Sequence, residues 1–189
     1  MIGSGNDQYI GYSERIHSPE VQAALKKSRR AAGIFFILLI LAPIVISLIL
    51  SVKNDDGSLV MVGFGVSFVF LVINIISFIA QKTKRQWDGT VVDKKRENRT
   101  EASRGHSNVR RLTVVVRTDS GSIKKISGSI NPYYDYLDIG DKIRYYPQYN
   151  NYYEKFDKSG DSYVLCPVCG SKVDIDADRC KRCKVPAIK

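Results

Sequence analysis

The chain has little of what enzymes use for catalysis. Its 189 residues include only 2 histidines, His17 and His106, and its 4 cysteines all lie near the C-terminal end. The sequence contains no HExxH helix, no nucleophile turn of the G-x-S-x-G kind, no phosphate-binding glycine loop and no dinucleotide fingerprint. Acidic residues are scattered, and no pair of them stands out for acid–base chemistry. We therefore expect a protein that is not an enzyme.

Charge is absent from two long stretches, residues 31–52 and 57–81. A helix rises about 1.5 Å per residue, so about 20 apolar residues cross a bilayer core about 30 Å thick. Neither stretch has the polar face that a helix in a soluble core would show. The sequence therefore predicts a transmembrane hairpin of two spans, 31–52 and 59–80.

The charges that flank the two spans predict their orientation. The short connecting loop has one lysine and two aspartates, whereas cations precede the first span and follow the second: Lys26, Lys27, Arg29, Arg30, Lys82, Lys84 and Arg85. By the positive-inside rule, both termini lie in the cytoplasm and the hairpin is held in the cell membrane. The first stretch follows about thirty polar residues and is too long for a signal peptide, so we expect a retained anchor.

The second span contains small and polar residues at positions that favour helix contact. Gly63 and Ser67 have the small-xxx-small spacing, and Asn74 is costly in lipid unless it finds a partner. We expect these residues to pack against the first span; an oligomer interface or contact with a larger membrane complex is the alternative. Neither span holds a charged residue, which an ion or proton pathway would normally need.

The N-terminal region is predicted to have two parts. Residues 1–17 are rich in Gly, Ser and Asn and are expected to form a disordered tail. Ser18, Pro19 and Glu20 then have the order that is typical of a helix start, with a capping hydroxyl, a first-turn proline and an acid. We predict that this juxtamembrane helix runs into the first span, so that residues 18–80 form one membrane segment.

From Trp87 the apolar pattern changes to the alternation of β-strands. We predict five short strands, a small, partly open OB- or SH3-like β-barrel over residues 86–158, and a short turn or helix at 133–137. A β-sandwich is the alternative, and the polar residues 94–107 are expected to form a long mobile hairpin loop. The predicted strands cover residues 90–93, 111–117, 122–127, 142–146 and 151–156.

This region is also basic and rich in tyrosine. Residues 81–163 contain 17 Lys or Arg against 11 Asp or Glu, and 8 of the 11 tyrosines lie within residues 133–153. Cations interleaved with aromatic rings suit single-stranded nucleic acid. Tyrosine also suits ordinary sheet packing, and cations suit a cytoplasmic membrane face, so nucleic-acid binding is the less favoured expectation.

The last part of the chain carries a metal-binding pattern. Cys166, Cys169, Cys180 and Cys183 have the spacing C-x2-C-x10-C-x2-C, in which two tight knuckles bring four thiolates to one tetrahedral ion. Four cysteine ligands leave no open coordination position, which predicts a structural Zn²⁺ in a zinc-ribbon-like module over residues 163–189. Three alternatives fit less well. Disulfides do not suit the predicted cytoplasmic location, and the two-knuckle spacing does not suit an iron–sulfur cluster. A thioredoxin-like redox pair would need a βαβ unit around it, which the sequence lacks.

Several segments resemble a bacterial family of membrane proteins that share a domain of unknown function. They are Trp-Asp-Gly-Thr-Val-Val-Asp-Lys (87–94), the strand at 112–118 with its Asp-Ser-Gly turn, and Ile-Gly-Asp-Lys-Ile-Arg-Tyr-Tyr (139–146). Glu-Lys-Phe-Asp-Lys-Ser (154–159) before Cys-Pro-x-Cys-Gly is similar to an uncharacterised Gram-positive subset. The resemblance covers roughly residues 18–189. It implies a small β domain attached to membrane helices and supplies no catalytic residues.

Taken together, these patterns predict an α+β membrane protein that presents a β domain and a zinc module to the cytoplasm. We expect a scaffold or adaptor that binds a protein partner. Nucleic-acid binding near the membrane and an accessory role in a larger membrane complex are the alternatives.

Overall fold

The computed structural model describes residues 9–54, 57–101 and 107–189 of the chain. These residues form two compact units. The helix unit comprises residues 23–84, and the sheet unit comprises residues 85–189 together with the chain up to Gln22.

Two long helices account for the apolar stretches. Helix α1 covers Pro19–Asn54 and helix α2 covers Ser58–Lys82, and both are long and apolar enough to cross a membrane. The start of α1 is as predicted, because the Val21 amide lies 3.5 Å from Ser18 Oγ and Pro19 is the first helical residue. The two predicted spans fall inside these helices.

Small residues bring α1 and α2 into close contact. A Cβ atom added to Gly63 would collide with Ser47 Oγ and lie 3.0 Å from the Pro43 carbonyl oxygen. Ser67 Oγ donates a hydrogen bond across the hairpin to the Ile40 carbonyl, at 2.8 Å. Gly63 and Ser67 therefore serve the packing of the hairpin itself.

Asn74 satisfies its amide within its own helix. Its Nδ2 donates to the Phe70 carbonyl at 2.8 Å, which is one turn back along α2. This local bond reduces the cost of an amide within an apolar helix.

Five antiparallel strands form the main sheet, in the order β3-β2-β1-β4-β5. A short helix, α3 (Pro132–Tyr136), stands at the predicted turn or helix between β3 and β4. A second, two-stranded sheet pairs β6 (Tyr163–Leu165) with β7 (Lys172–Asp174). The five strands of the main sheet are β1 (Trp87–Glu101), β2 (Ser107–Thr118), β3 (Ile123–Gly128), β4 (Lys142–Tyr146) and β5 (Tyr152–Lys155).

Pairing register explains the core of the sheet unit. Val91 pairs with Val116, and Val114 lies two residues before Val116 on the same face of β2. These three side chains and Ile143 of β4 are almost completely buried, with Leu137 after α3. The alternation of the strands thus places one apolar face against α3 and the loop that follows it.

The predicted mobile loop at residues 94–107 is wrong over most of its length. Strands β1 and β2 continue as a paired ribbon, from Lys94 opposite Val114 to Glu101 opposite Ser107. The side chains of Lys95, Arg96 and Glu97 are exposed, so this part of β1 lacks the apolar alternation by which strands are recognised. Backbone hydrogen bonds maintain the pairing, and residues 102–106 lie outside the described residues.

The predicted disorder of residues 1–17 is wrong for residues 9–17, which we call the N-terminal strap. The Gly11 amide donates to the Phe156 carbonyl at 2.8 Å, and the Lys158 amide donates to the Tyr9 carbonyl at 3.0 Å. The side chain of Ile16 is fully buried. The strap is ordered by backbone hydrogen bonds to residues far away in the sequence. The amino-acid composition of the strap does not indicate these bonds. Residues 1–8 lie outside the described residues.

Candidate metal centre

The first cysteine knuckle is the connection between β6 and β7. Cys166 directly follows β6, and its amide donates to the Ser171 carbonyl at 2.9 Å. The Gly170 amide donates back to the Cys166 carbonyl at 2.9 Å. Gly170 has φ of +68°, a left-handed conformation that glycine adopts without steric cost. Glycine therefore lets this tight turn form without strain.

The second knuckle has the same construction, with a single β-bridge between Arg179 and Pro186 in place of a strand pair. The Cys180 amide donates to the Val185 carbonyl at 2.9 Å, and the Lys184 amide donates to the Cys180 carbonyl at 2.8 Å. Lys184 takes the place that Gly170 has in the first knuckle, with φ of +60°. A non-glycine residue in this region is uncommon, so the same turn forms here against its steric preference.

The two knuckles bring the four predicted ligands together. All four Sγ atoms lie within 4.8 Å of one another, and Cys169 Sγ is 3.7 Å from Cys180 Sγ. All four thiols are free. A tetrahedral ion with metal–sulfur bonds of about 2.3 Å requires sulfurs about 3.8 Å apart, whereas a disulfide needs about 2.05 Å. The arrangement can hold one tetrahedral metal ion.

The four thiols differ in their environments. Cys166 and Cys180 are buried, and Cys169 and Cys183 are half-buried. Burial raises the pKa of the Cys166 thiol well above its ordinary value and raises that of Cys183 to about 11. Burial acts in the same direction on Cys169, but hydrogen bonding to the hydroxyl and backbone of Ser171 outweighs it and lowers that pKa to about 7. Cys169 therefore supplies a thiolate more readily than Cys166 or Cys183.

Basic residues around the knuckles are engaged in contacts of their own. The Arg179 guanidinium donates to Glu20 at 2.7 Å and to the Lys184 carbonyl at 2.9 Å. Lys181 lies 3.5 Å from Asp174, in a pair that is largely exposed to solvent. Arg179 thus links the second knuckle to the first turn of α1.

The cysteine region packs into the sheet unit, although the sequence predicts a separate module. The side chains of Val185, Ala187 and Ile188 are buried. Asn150, in the turn between β4 and β5, donates from Nδ2 to the Val168 carbonyl of the first knuckle at 3.2 Å. The C-terminal residues therefore contribute to the same compact unit as the main sheet.

The sequence analysis does not predict the buried ion pair between Lys158 and Glu154. Lys158 Nζ lies 2.9 Å from Glu154 Oε1, and both side chains are fully buried. Lys158 also donates to the Gly11 carbonyl at 2.8 Å, and Glu154 accepts from the Ser13 amide at 2.7 Å. The pair therefore binds the strap through backbone groups of the strap itself. Its i,i+4 spacing is the only sequence signal, and this spacing is also common on exposed helices.

Tyrosines of the basic region form a continuous row with the single tryptophan. Trp87 of β1 stacks on Tyr145 of β4 at 5.2 Å between ring centroids, and Tyr145 lies 5.0 Å from Tyr153 of β5. Tyr133 of α3 meets Tyr153 edge-on at 4.9 Å. We call Trp87, Tyr145 and Tyr153 the aromatic row; it crosses three neighbouring strands on one side of the sheet.

The comparisons with known proteins return no match. The sequence matches no protein-family model and no curated protein, and the fold matches no solved structure.

Proposed function

We propose that this protein is a membrane-anchored cytoplasmic interaction module that is stabilised by a structural zinc ion. The observation that carries the proposal is the convergence of four free thiols from two equivalent knuckles. Four protein ligands complete a tetrahedral shell, so the ion has no position for substrate or water. A closed thiolate site favours a role in folding and in shaping a surface over catalysis.

Zinc is the metal that suits this donor set best. Four cysteine thiolates in tetrahedral geometry bind Zn²⁺ or an iron–sulfur centre, and two separate knuckles around one point favour a single ion. Cys166 and Cys180 are shielded from solvent, which supports a permanent site. Binding energy at such a site is folding energy, so the ion would stabilise the buried C-terminal residues.

The anchor in this proposal is the pair formed by α1 and α2. Their length and apolar composition suit a bilayer, and the flanking cations favour termini in the cytoplasm. A reducing cytoplasm would also keep the four cysteines as thiols. Within the sheet unit, the β-bulge between Val91 and Asp93 supports a curved sheet of the small-barrel kind that the sequence predicts.

The partner in this proposal is another protein. Affinity purification of the full-length chain in mild detergent tests it, with one half of the sample treated with nuclease. Protein partners that survive the nuclease, and that are lost together with zinc in a Cys180→Ser variant, are expected. A sample that yields no partner in either half contradicts the proposed function.

Nucleic-acid binding is the second candidate, and the excess of Lys and Arg in residues 81–163 is the observation in its favour. Phosphate contacts release counterions, so affinity for a single-stranded oligonucleotide would fall several-fold when the salt concentration doubles. Partners that disappear after nuclease treatment, together with this salt dependence, would favour this candidate over protein binding.

A further inference from the structure

We propose that metal loading of the four cysteines controls the docking of residues 17–20, which we call the strap junction because they join the N-terminal strap to α1. The cysteine cluster and the strap junction are then two coupled sites, and loss of the ion releases the junction. This coupling rests on the zinc part of the proposed function and adds a regulated element to it. All the residues involved belong to the sheet unit, which includes the chain up to Gln22.

The second knuckle reaches the strap junction through Arg179. This residue directly precedes the ligand Cys180, and its guanidinium donates two hydrogen bonds to the Glu20 carboxylate, at 2.7 and 3.3 Å. The same guanidinium donates to the Lys184 carbonyl at 2.9 Å. One side chain therefore joins the turn of the second knuckle to the first turn of α1.

The Lys184 carbonyl is held in place by the closed second knuckle. Lys184 has φ of +60°, a conformation that is unfavourable for a residue with a Cβ atom. Its amide donates to the Cys180 carbonyl at 2.8 Å, which closes the turn. An ion bound by Cys180 and Cys183 would supply the energy that keeps this turn closed. Without the ion the turn can relax, and the acceptor that Arg179 uses is lost.

The first knuckle reaches the same junction through the turn between β4 and β5. Asn150 donates from Nδ2 to the Val168 carbonyl, which lies within the first knuckle, at 3.2 Å. The preceding residue, Tyr149, is buried, and its hydroxyl lies 3.1 Å from His17 Nδ1. The rings of His17 and Tyr149 also meet edge-on, at 6.0 Å between centroids. Two consecutive residues of one turn therefore connect the first knuckle with the strap junction.

The two routes converge on a short piece of chain. Between His17 and Glu20, the start of α1 is tied together by hydrogen bonds. The Val21 amide donates to Ser18 Oγ at 3.5 Å, and Gln22 Nε2 donates to the His17 carbonyl at 3.0 Å. A single ion closes both knuckles, because each knuckle supplies two of its four ligands. Metal loss therefore weakens both routes at the same time, and the junction responds as one piece.

The beginning of the strap is bound by other contacts. The Gly11 amide donates to the Phe156 carbonyl, and the Ser13 amide donates to the Glu154 carboxylate. Neither acceptor belongs to a knuckle. The strap thus contains its own reference, since metal loss should free the junction and leave residues 9–13 docked.

Release of the junction changes the surface of the sheet unit. Ile16 and Val21 flank the junction, and both side chains are fully buried. Undocking of the junction exposes these apolar side chains to solvent. Metal loading thereby determines which surface the sheet unit presents to a protein partner.

The test is hydrogen–deuterium exchange of the full-length protein in mild detergent and reducing buffer, with zinc bound and after its removal by a chelator. The amides of Ser18 and Gln22 report on the junction, because both are hydrogen-bonded within it. The amides of Gly11 and Ser13 are the reference. Metal removal is expected to speed exchange of the junction amides at least about fivefold, the lower end of ordinary coupling between sites, and exchange of the reference amides less than about twofold.

Two results would overturn the coupling. Unchanged exchange at Ser18 and Gln22 means that the junction does not sense the metal, and equal acceleration of all four amides means that the sheet unit unfolds as a whole. Zinc content measured on the same samples separates the coupling from the metal centre. A protein that binds zinc without a response at the junction keeps the metal centre and loses only the coupling, whereas a protein that binds no zinc refutes both.

A reciprocal experiment follows from linkage, because loosening the junction must weaken zinc binding as well. His17→Ala/Glu20→Ala removes both contacts of the junction and should lower zinc affinity, measured by chelator competition, at least about fivefold. Glu14→Ala/Arg15→Ala is the matched control, because these two strap side chains are exposed and have no hydrogen bond or ion pair within the described part of the chain. Equal zinc affinities of the two double variants overturn the coupling. If the first variant does not fold, the exchange comparison on the wild-type protein decides.

Discussion

Replacing Lys158 with methionine tests the buried ion pair most sharply. Lys158 and Glu154 are fully buried and 2.9 Å apart, and Lys158 also donates to the Gly11 carbonyl. Lys158→Met keeps a side chain of similar length but leaves the Glu154 carboxylate buried with neutral donors alone. Removal of one partner from a buried pair typically costs about 3–5 kcal/mol. We expect a loss of that size in the free energy of unfolding of the sheet unit.

The assay is urea unfolding of the full chain in mild detergent, followed by the fluorescence of Trp87. Lys181→Met is the control, since Lys181 and Asp174 are 90% and 71% exposed and such pairs contribute at most about 1 kcal/mol. The double variant Glu154→Gln/Lys158→Met removes both charges and should recover part of the loss. A cost below about 1 kcal/mol for Lys158→Met, or no recovery in the double variant, would refute the reasoning.

Three further perturbations follow from named contacts. Gly63→Ala should lower the stability of the α1–α2 contact by about 1–3 kcal/mol, measured by thermal unfolding. Gly65→Ala should have no such effect, because the space around its Cβ position is open. Equal effects of the two substitutions would contradict close packing of α1 and α2 at Gly63. Burial raises the pKa of Tyr12 and Tyr153 to about 12, so the folded state holds these protons more tightly than the unfolded state. The stabilisation that these two protonated side chains provide should therefore be fully present below pH 10 and be lost as the pH rises toward 12. Tyrosinate absorbance should then appear together with unfolding. Tyrosinate absorbance that appears while the protein is still folded would argue against the raised pKa values. Because burial raises the pKa of Cys183 to about 11, that thiol must release a proton to bind metal. Zinc affinity, measured by chelator competition, should fall several-fold or more from pH 8 to pH 6, and a constant affinity would contradict binding of the ion by thiolates.

The cysteine cluster and most of the secondary structure could be predicted because their signals are local. The spacing of Cys166, Cys169, Cys180 and Cys183 identifies the group that the structure brings within 4.8 Å. β-Branched residues mark the buried part of β2, and Ser18 with Pro19 marks the start of α1.

The strap and the long β1–β2 ribbon could not be predicted because they depend on distant contacts. The strap is held by the backbone of residues 156–158 and by a buried carboxylate, neither of which alters its local composition. The outer part of β1 is exposed and polar, so it lacks the apolar alternation that identifies a strand. Packing of the C-terminal residues into the sheet unit likewise depends on tertiary contact, here between Asn150 and Val168.

Metal content of the purified full-length protein tests the central claim most directly. The account predicts about one zinc ion per chain in the wild type, and almost none in Cys180→Ser, because three thiolates leave the tetrahedral site incomplete. Ser171→Ala keeps all four thiols and should retain the ion. A wild-type protein without bound metal, or a Cys180→Ser variant with undiminished zinc, would contradict the assignment of these four cysteines as a structural metal site.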